Sequence, residues 1–195
     1  VVNTGVPVEM KRLGDVCEIK YGDRIVKSEQ AGNVPVYGGG GVSFYTSKFN
    51  RSGMTIKIGR FGLSKHNAVI IIHGNCWLHD NGMSIESIDK MLISDTFMAQ
   101  ILLHIKGRIF SIASGSGQLR MDIGKFKNLQ IPIPSLDNQA IIVQKMDKLT
   151  ATIAALQEIV DSYDADIARL IPNQKSSSSS VRSSIVLAIF CAPAT

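Results

Sequence analysis

His73, Cys76, His79 and Asp80 lie within one short stretch and have the spacing of metal ligands. Zinc requires deprotonated nitrogen and sulfur donors about 2 Å from the ion in a tetrahedron. No second His or Cys cluster completes such a set, and the interleaved Trp77 and Leu78 read as core. The stretch is expected to be a strand-to-turn connection, with no metal. No Gly-x-Ser-x-Gly elbow, P-loop or His-Glu-x-x-His motif occurs, and the acids are too scattered for a magnesium-dependent nuclease. An Asn-Pro-Pro-aromatic stretch of the amino-methyltransferase kind is also missing. The expectation is therefore a non-catalytic chain, with no catalytic residue and no cofactor.

Cations carry the remaining chemical signal. Between Glu29 and Asp80 there is no acid, whereas Lys48, Arg51, Lys57, Arg60 and Lys65 all fall there. Pro7 to Pro134 holds 16 Lys and Arg against 10 Asp and Glu, while Ser135 to Lys175 holds 4 against 6. A basic surplus confined to one part of a chain is either a solvated face or the footprint of an anionic partner, of which nucleic acid is the first.

Those side chains need a scaffold. The 195 residues, 45% hydrophobic, suffice for one domain with a core plus a helix. Val8, Leu13, Val16 and Ile19 suggest a short strand pair, with a turn at Tyr21-Gly22-Asp23. Val34 to Tyr37 suggests an edge strand, because it contains Pro35. Gly38 to Gly41 is a permissive loop whose backbone passes close to phosphate or to another strand; it lacks the context of a dinucleotide fingerprint. Met54 to Ile58, Ala68 to Ile72 and Gly82 to Ile88 read as strands, the second of them buried. Gly59-Arg60-Phe61-Gly62 is a turn presenting Arg60. Asp95 to Ile105 has helical spacing, Ile109 to Ala113 is strand-like, and Ser114 to Gln118 is a polar loop. The fold class is α+β: a strand-rich mixed domain over residues 1–134, then a long coiled-coil helix over 135–172.

That helix carries the strongest periodicity. Ile142, Met146, Leu149, Ile153, Leu156, Val160, Tyr163, Ile167 and Leu170 follow one another at alternating intervals of four and three. This a/d seam demands a partner helix and spans about 43 Å. The alternative is an amphipathic helix folded back on its own domain. Pro132 and Pro134 bound the helix on one side and Pro172 on the other, with Ser135 or Asp137 as the cap. Residues 173–195 begin a flexible Ser-rich tail of unclear role. Its apolar run Ile185 to Ala192 is too short to span a bilayer. Three widely spaced cysteines suit a reducing compartment, and the location is expected to be cytoplasmic. The start at Val1 without a visible targeting segment suggests a processed or trimmed fragment.

Several stretches resemble the DNA-specificity (S) subunits of type I restriction–modification systems. They are Val34 to Gly41, Ile58 to Gly62, Gly115 to Asp122, Leu129 to Gln139 and Ile142 to Leu149. In that family a target recognition domain ends in Ile-Pro-Leu-Pro-Pro-Leu-x-Glu-Gln, which opens a long helix. Here Ser135 replaces the second proline of the Pro-Pro pair and Asn138 the Glu. The resemblance covers about Val8 to Leu170. It implies a half-subunit, with one recognition domain and one helix where two of each are usual, and hence a homodimer reading a split palindrome in double-stranded DNA. The other possibility places the missing half upstream of Val1. It further implies that methyltransferase (M) and restriction (R) subunits dock on it and supply the S-adenosylmethionine- and ATP-dependent chemistry, with no membrane role. Lys48, Arg51, Lys57 and Lys65 would contact phosphates, and Arg60, Gln118 and Arg120 base edges. The competing reading is a structural or interaction protein that reuses this fold within a larger assembly.

Overall fold

The computed structural model of the chain describes residues 8–26 and 32–170. It divides into two compact units between Lys145 and Met146. The first opens with β1 (Glu9–Arg12), α1 (Leu13–Val16) and β2 (Cys17–Tyr21). There follow β3 (Val34–Tyr37), β4 (Val42–Thr46), β5 (Met54–Gly59), β6 (Val69–His73), β7 (Trp77–Leu78) and β8 (Gly82–Ser87). Helices α2 (Asp95–His104), α3 (Lys106–Ser111) and α4 (Ile123–Lys127), strand β9 (Gln130–Ile133) and helix α5 (Leu136–Leu170) complete the order. This is a mixed, strand-rich domain followed by one long helix.

Among the described residues three sheets form: β1-β9, β2-β8-β5-β6 and β4-β3-β7. The second sheet holds the core. Alternate β5 residues Ile56 and Ile58 join Met83, Ile85, Phe97, Met98 and Leu102 in one buried cluster. Thr55 and Lys57 face the other way and are buried too, so β5 is covered on both sides. Ser94 begins α2 by accepting a hydrogen bond from the Phe97 amide, 3.2 Å, on its Oγ.

Several expectations need correction. Ile109 to Ala113 is not a strand. The Ile105 amide bonds to the Ile101 carbonyl and the Ile109 amide to the Ile105 carbonyl, so helical turns continue from α2 into α3. Burial of Ile109 and packing of Phe110 and Ile112 override their β preference. β3 is the middle strand of its sheet, not an edge. β7 pairs in parallel only with Val36 and Tyr37, so Pro35, which lacks an N–H, lies outside that ladder. β1 and β2 do not pair with each other; their partners are β9 and β8. β6 is an edge strand, with Val69 and Ile72 buried.

The start of α5 belongs to the first unit. Gln139 has zero exposure. Its Oε1 accepts from the Ser94 amide, 2.9 Å, and its Nε2 donates to the Leu92 and Pro134 carbonyls at 2.8 and 2.9 Å. Asn138 donates to Ser135 Oγ, 2.9 Å, at the helix entrance. Ile142, expected to head the seam, packs with Val143 against the domain core. In the second unit the remaining helix exposes its apolar residues: Leu149 at 62%, Ile153 at 53% and Leu156 at 50%. The expected stop at Pro172 and the Ser-rich tail lie outside the described residues.

Candidate nucleic-acid interface

β5 ends at Gly59, and the chain turns through Arg60, Phe61 and Gly62. The Arg60 and Phe61 amides both donate to the Asn81 carbonyl, at 3.0 and 3.2 Å, which fixes the turn against the segment before β8. On its other side, the Gly62 amide donates to the Leu119 carbonyl, 3.0 Å, and the Met121 amide to the Arg60 carbonyl, 2.9 Å. Phe61 and Arg120 thus form an isolated antiparallel bridge, and Arg120 bridges in turn to Ser114. Gly62 has φ 65°, a left-handed backbone that disfavours a side chain. The Gln118 amide nitrogen lies 3.5 Å from where a Cβ at Gly62 would be.

Arg60, Gln118 and Arg120, far apart in sequence, are therefore brought together around Phe61. The Arg60 guanidinium carbon lies 4.8 Å from the ring centres of both Tyr21 and Phe61, and that of Arg120 lies 5.2 Å from Phe61. Cation–π contacts of this kind contribute about 0.5–1 kcal/mol each at exposed sites and fix the forks in orientation. Arg60 Nη1 also donates to the Asp80 carbonyl, 3.3 Å. Gln118 and Arg120 are exposed. Asn67 ties the adjoining loop back by donating to the Gly62 carbonyl, 3.1 Å, and that loop carries the exposed Lys65. Cations held over aromatic rings on hydrogen-bonded loops can present bidentate donors to base edges, or charge to phosphate.

Two expected phosphate contacts are placed differently. Arg51 spends its guanidinium inside the protein, on Ser84 Oγ (2.8 Å) and on the Asn50 (2.8 Å) and Tyr21 (2.9 Å) carbonyls. Lys57 is fully buried and donates to the Gly39 and Gly40 carbonyls at 3.1 and 2.6 Å. β5 carries Lys57 inward, and the isolated bridge to Cys76 holds Arg51 just before that strand; spacing along the sequence reveals neither. Lys48 is exposed. Tyr21 and Phe61 went unassigned in the sequence; Phe61 is flagged only by its flanking glycines, and Tyr21 by nothing beyond its turn. His73, Cys76, His79 and Asp80 do not converge, and among the described residues no three His, Cys, Asp or Glu side chains gather around one point.

Burial pushes the Lys57 amine down to about 8 from its ordinary 10.5. The unfolded chain therefore binds more protons between those values, and the stability contributed by this group rises with pH across that window. The unfolding free energy of wild type relative to Lys57→Met is expected to grow between pH 7 and pH 10, as read by urea denaturation at both. An unchanged difference would contradict a buried ammonium.

The fold and this loop cluster define a class. Residues 5–162 match the family described as the type I restriction modification DNA specificity domain, and the chain belongs to that family. It is similar to the type I restriction enzyme EcoprrI specificity subunit of Escherichia coli, 24% identical over 161 residues, covering 78% of this chain and 39% of that protein. Its fold matches the crystal structure of the type I restriction–modification S subunit from M. genitalium with TM-score 0.69 and 22% identity, over 87% of this chain and 46% of that one. A structure described by complex assembly and conformational transition of the type I R-M system matches with TM-score 0.68 and 18% identity, over 87% and 45%. The chain thus spans less than half the length of these relatives. Among the described residues, no helix is long and apolar enough to cross a membrane.

Proposed function

We propose that this chain is a sequence-specific DNA-recognition subunit, a half-subunit that reads one half-site and pairs through α5 to read a bipartite target. The observation that carries the reading is the convergence of Arg60, Gln118 and Arg120 around Phe61 on exposed, cross-linked loops. Arginine forks suit guanine and glutamine suits adenine. The exposed seam from Leu149 to Leu170 supports a second copy as partner, since exposed a/d positions call for a facing helix. Methyltransferase and restriction subunits dock on the assembly and perform the chemistry in the cytoplasm; the chain itself performs none.

Selection from a random-duplex library with the purified chain reports the half-site and whether it recurs as a palindrome. Arg60→Ala combined with Arg120→Ala is then expected to weaken cognate binding by about 1–3 kcal/mol per lost bidentate pair. Binding to a scrambled duplex should change far less. Equal discrimination in wild type and double variant would remove the assignment. A wild-type chain that enriches no sequence and binds duplex without salt dependence would leave it as an interaction module that reuses the fold.

A further inference from the structure

Lys57 is the only charged side chain among the described residues that is buried. No carboxylate pairs with it; burial alone shifts its amine. An isolated buried ammonium is costly unless something compensates it. Here it bonds to two successive glycine carbonyls, Gly39 and Gly40. The surroundings are cut to admit this arrangement. A Cβ at Gly82 would lie 3.5 Å from Lys57 Cε and closer still to Leu78, and a Cβ at Gly39 would collide with the Phe61 carbonyl. The loop is therefore pressed against the Arg60–Phe61 turn.

The consequence lies on the far side of those peptides. Both are trans, so each N–H points opposite to its carbonyl. With the carbonyls on the ammonium, the amides of Gly40 and Gly41 point away from it. Neither has a hydrogen-bond partner among the described residues. A Cβ at Gly41 would meet nothing within 4 Å, and one at Gly40 only the Asn67 amide nitrogen at 3.9 Å. Two adjacent donors without partners, on a half-buried and an exposed glycine and polarised by a cation behind them, can hold an anion.

We propose that the Gly40 and Gly41 amides, backed by Lys57, hold a phosphodiester of the DNA backbone beside the bases read from Phe61's cluster. This rests on the DNA-reading function above and adds a site to it. Lys57 is a positioning residue: it never touches the phosphate.

The test measures duplex binding across a salt series for wild type, Lys57→Met, Gly41→Pro, Gly41→Ala and Arg60→Ala, with thermal melts to show that each is folded. Lys57→Met and Gly41→Pro are expected to weaken cognate and scrambled duplex alike, by about tenfold, and to flatten the salt dependence by about one phosphate, a slope change near 0.9. Gly41→Ala keeps the amide and should behave as wild type, whereas Arg60→Ala should lose discrimination instead. Wild-type affinity and slope in folded Lys57→Met or Gly41→Pro overturn the phosphate site and leave base reading intact. A loss in Gly41→Ala equal to that in Gly41→Pro also overturns it. A wild-type chain that binds no duplex overturns the DNA reading itself, and this inference with it.

Discussion

Ile153→Glu combined with Leu156→Glu is expected to convert the proposed homodimer into a monomer whose first unit melts unchanged. Both side chains are about half exposed on a helix that buries little of itself after Lys145, and they lie at successive seam positions. In a paired helix each would enter a hole formed by four residues of its partner. Placing carboxylates there puts four charges into one dimer interface, at a cost of several kcal/mol. The dimer dissociation constant should rise by more than about a thousandfold, equivalent to about 4 kcal/mol. Sedimentation equilibrium reads the mass, and duplex selection with the variant should return single half-sites. A variant that stays dimeric, or a wild type that sediments as a monomer, would end the spacing role assigned to α5.

The second large effect belongs to stability. Gln139→Leu should destabilise the first unit more than most single substitutions. Gln139 sits at zero exposure and satisfies three backbone groups: the Ser94 amide and the Leu92 and Pro134 carbonyls. Leucine fills similar space but leaves all three unpaired, at about 1–3 kcal/mol each. Ser94 also caps α2, so the loss spreads to a helix of the core. With partial relaxation we expect a loss of about 4 kcal/mol and a fall in Tm of about 10 °C. Asn138→Ala removes one exposed bond to Ser135 and should cost about 1 kcal/mol or less. Similar melting of the two variants would show that the buried amide does not clamp the helix start.

Comparison of these residues shows where sequence reasoning succeeds. α2 and the start of α5 were legible because helical spacing and the Ile131-Pro132-Ile133-Pro134 stop are local signals. So was the placement of Arg60, Gln118 and Arg120 on loops, since glycines flank two of them. What brings them together, the Phe61–Arg120 bridge, joins residues almost sixty positions apart and leaves no periodic trace. Lys57 misled for a related reason. On a strand covered on one face it would have pointed to solvent; β5 is covered on both, so the same alternation sends it inward. α3 escaped because Ile109, Phe110 and Ile112 favour strands, and only the continuation of α2 makes them helical. Gln139 carried no burial signal, because glutamine is ordinarily a surface residue.

Arg60, Gln118 and Arg120 lie outside the buried cluster that holds the domain together, and Arg60 and Arg120 hang from main-chain hydrogen bonds that any residue other than proline can make. Exchanging these side chains alters the surface they present without removing a single core contact. If these side chains read DNA as proposed, the fold is free to tolerate new targets: selection can rewrite the letters without rebuilding the page that carries them.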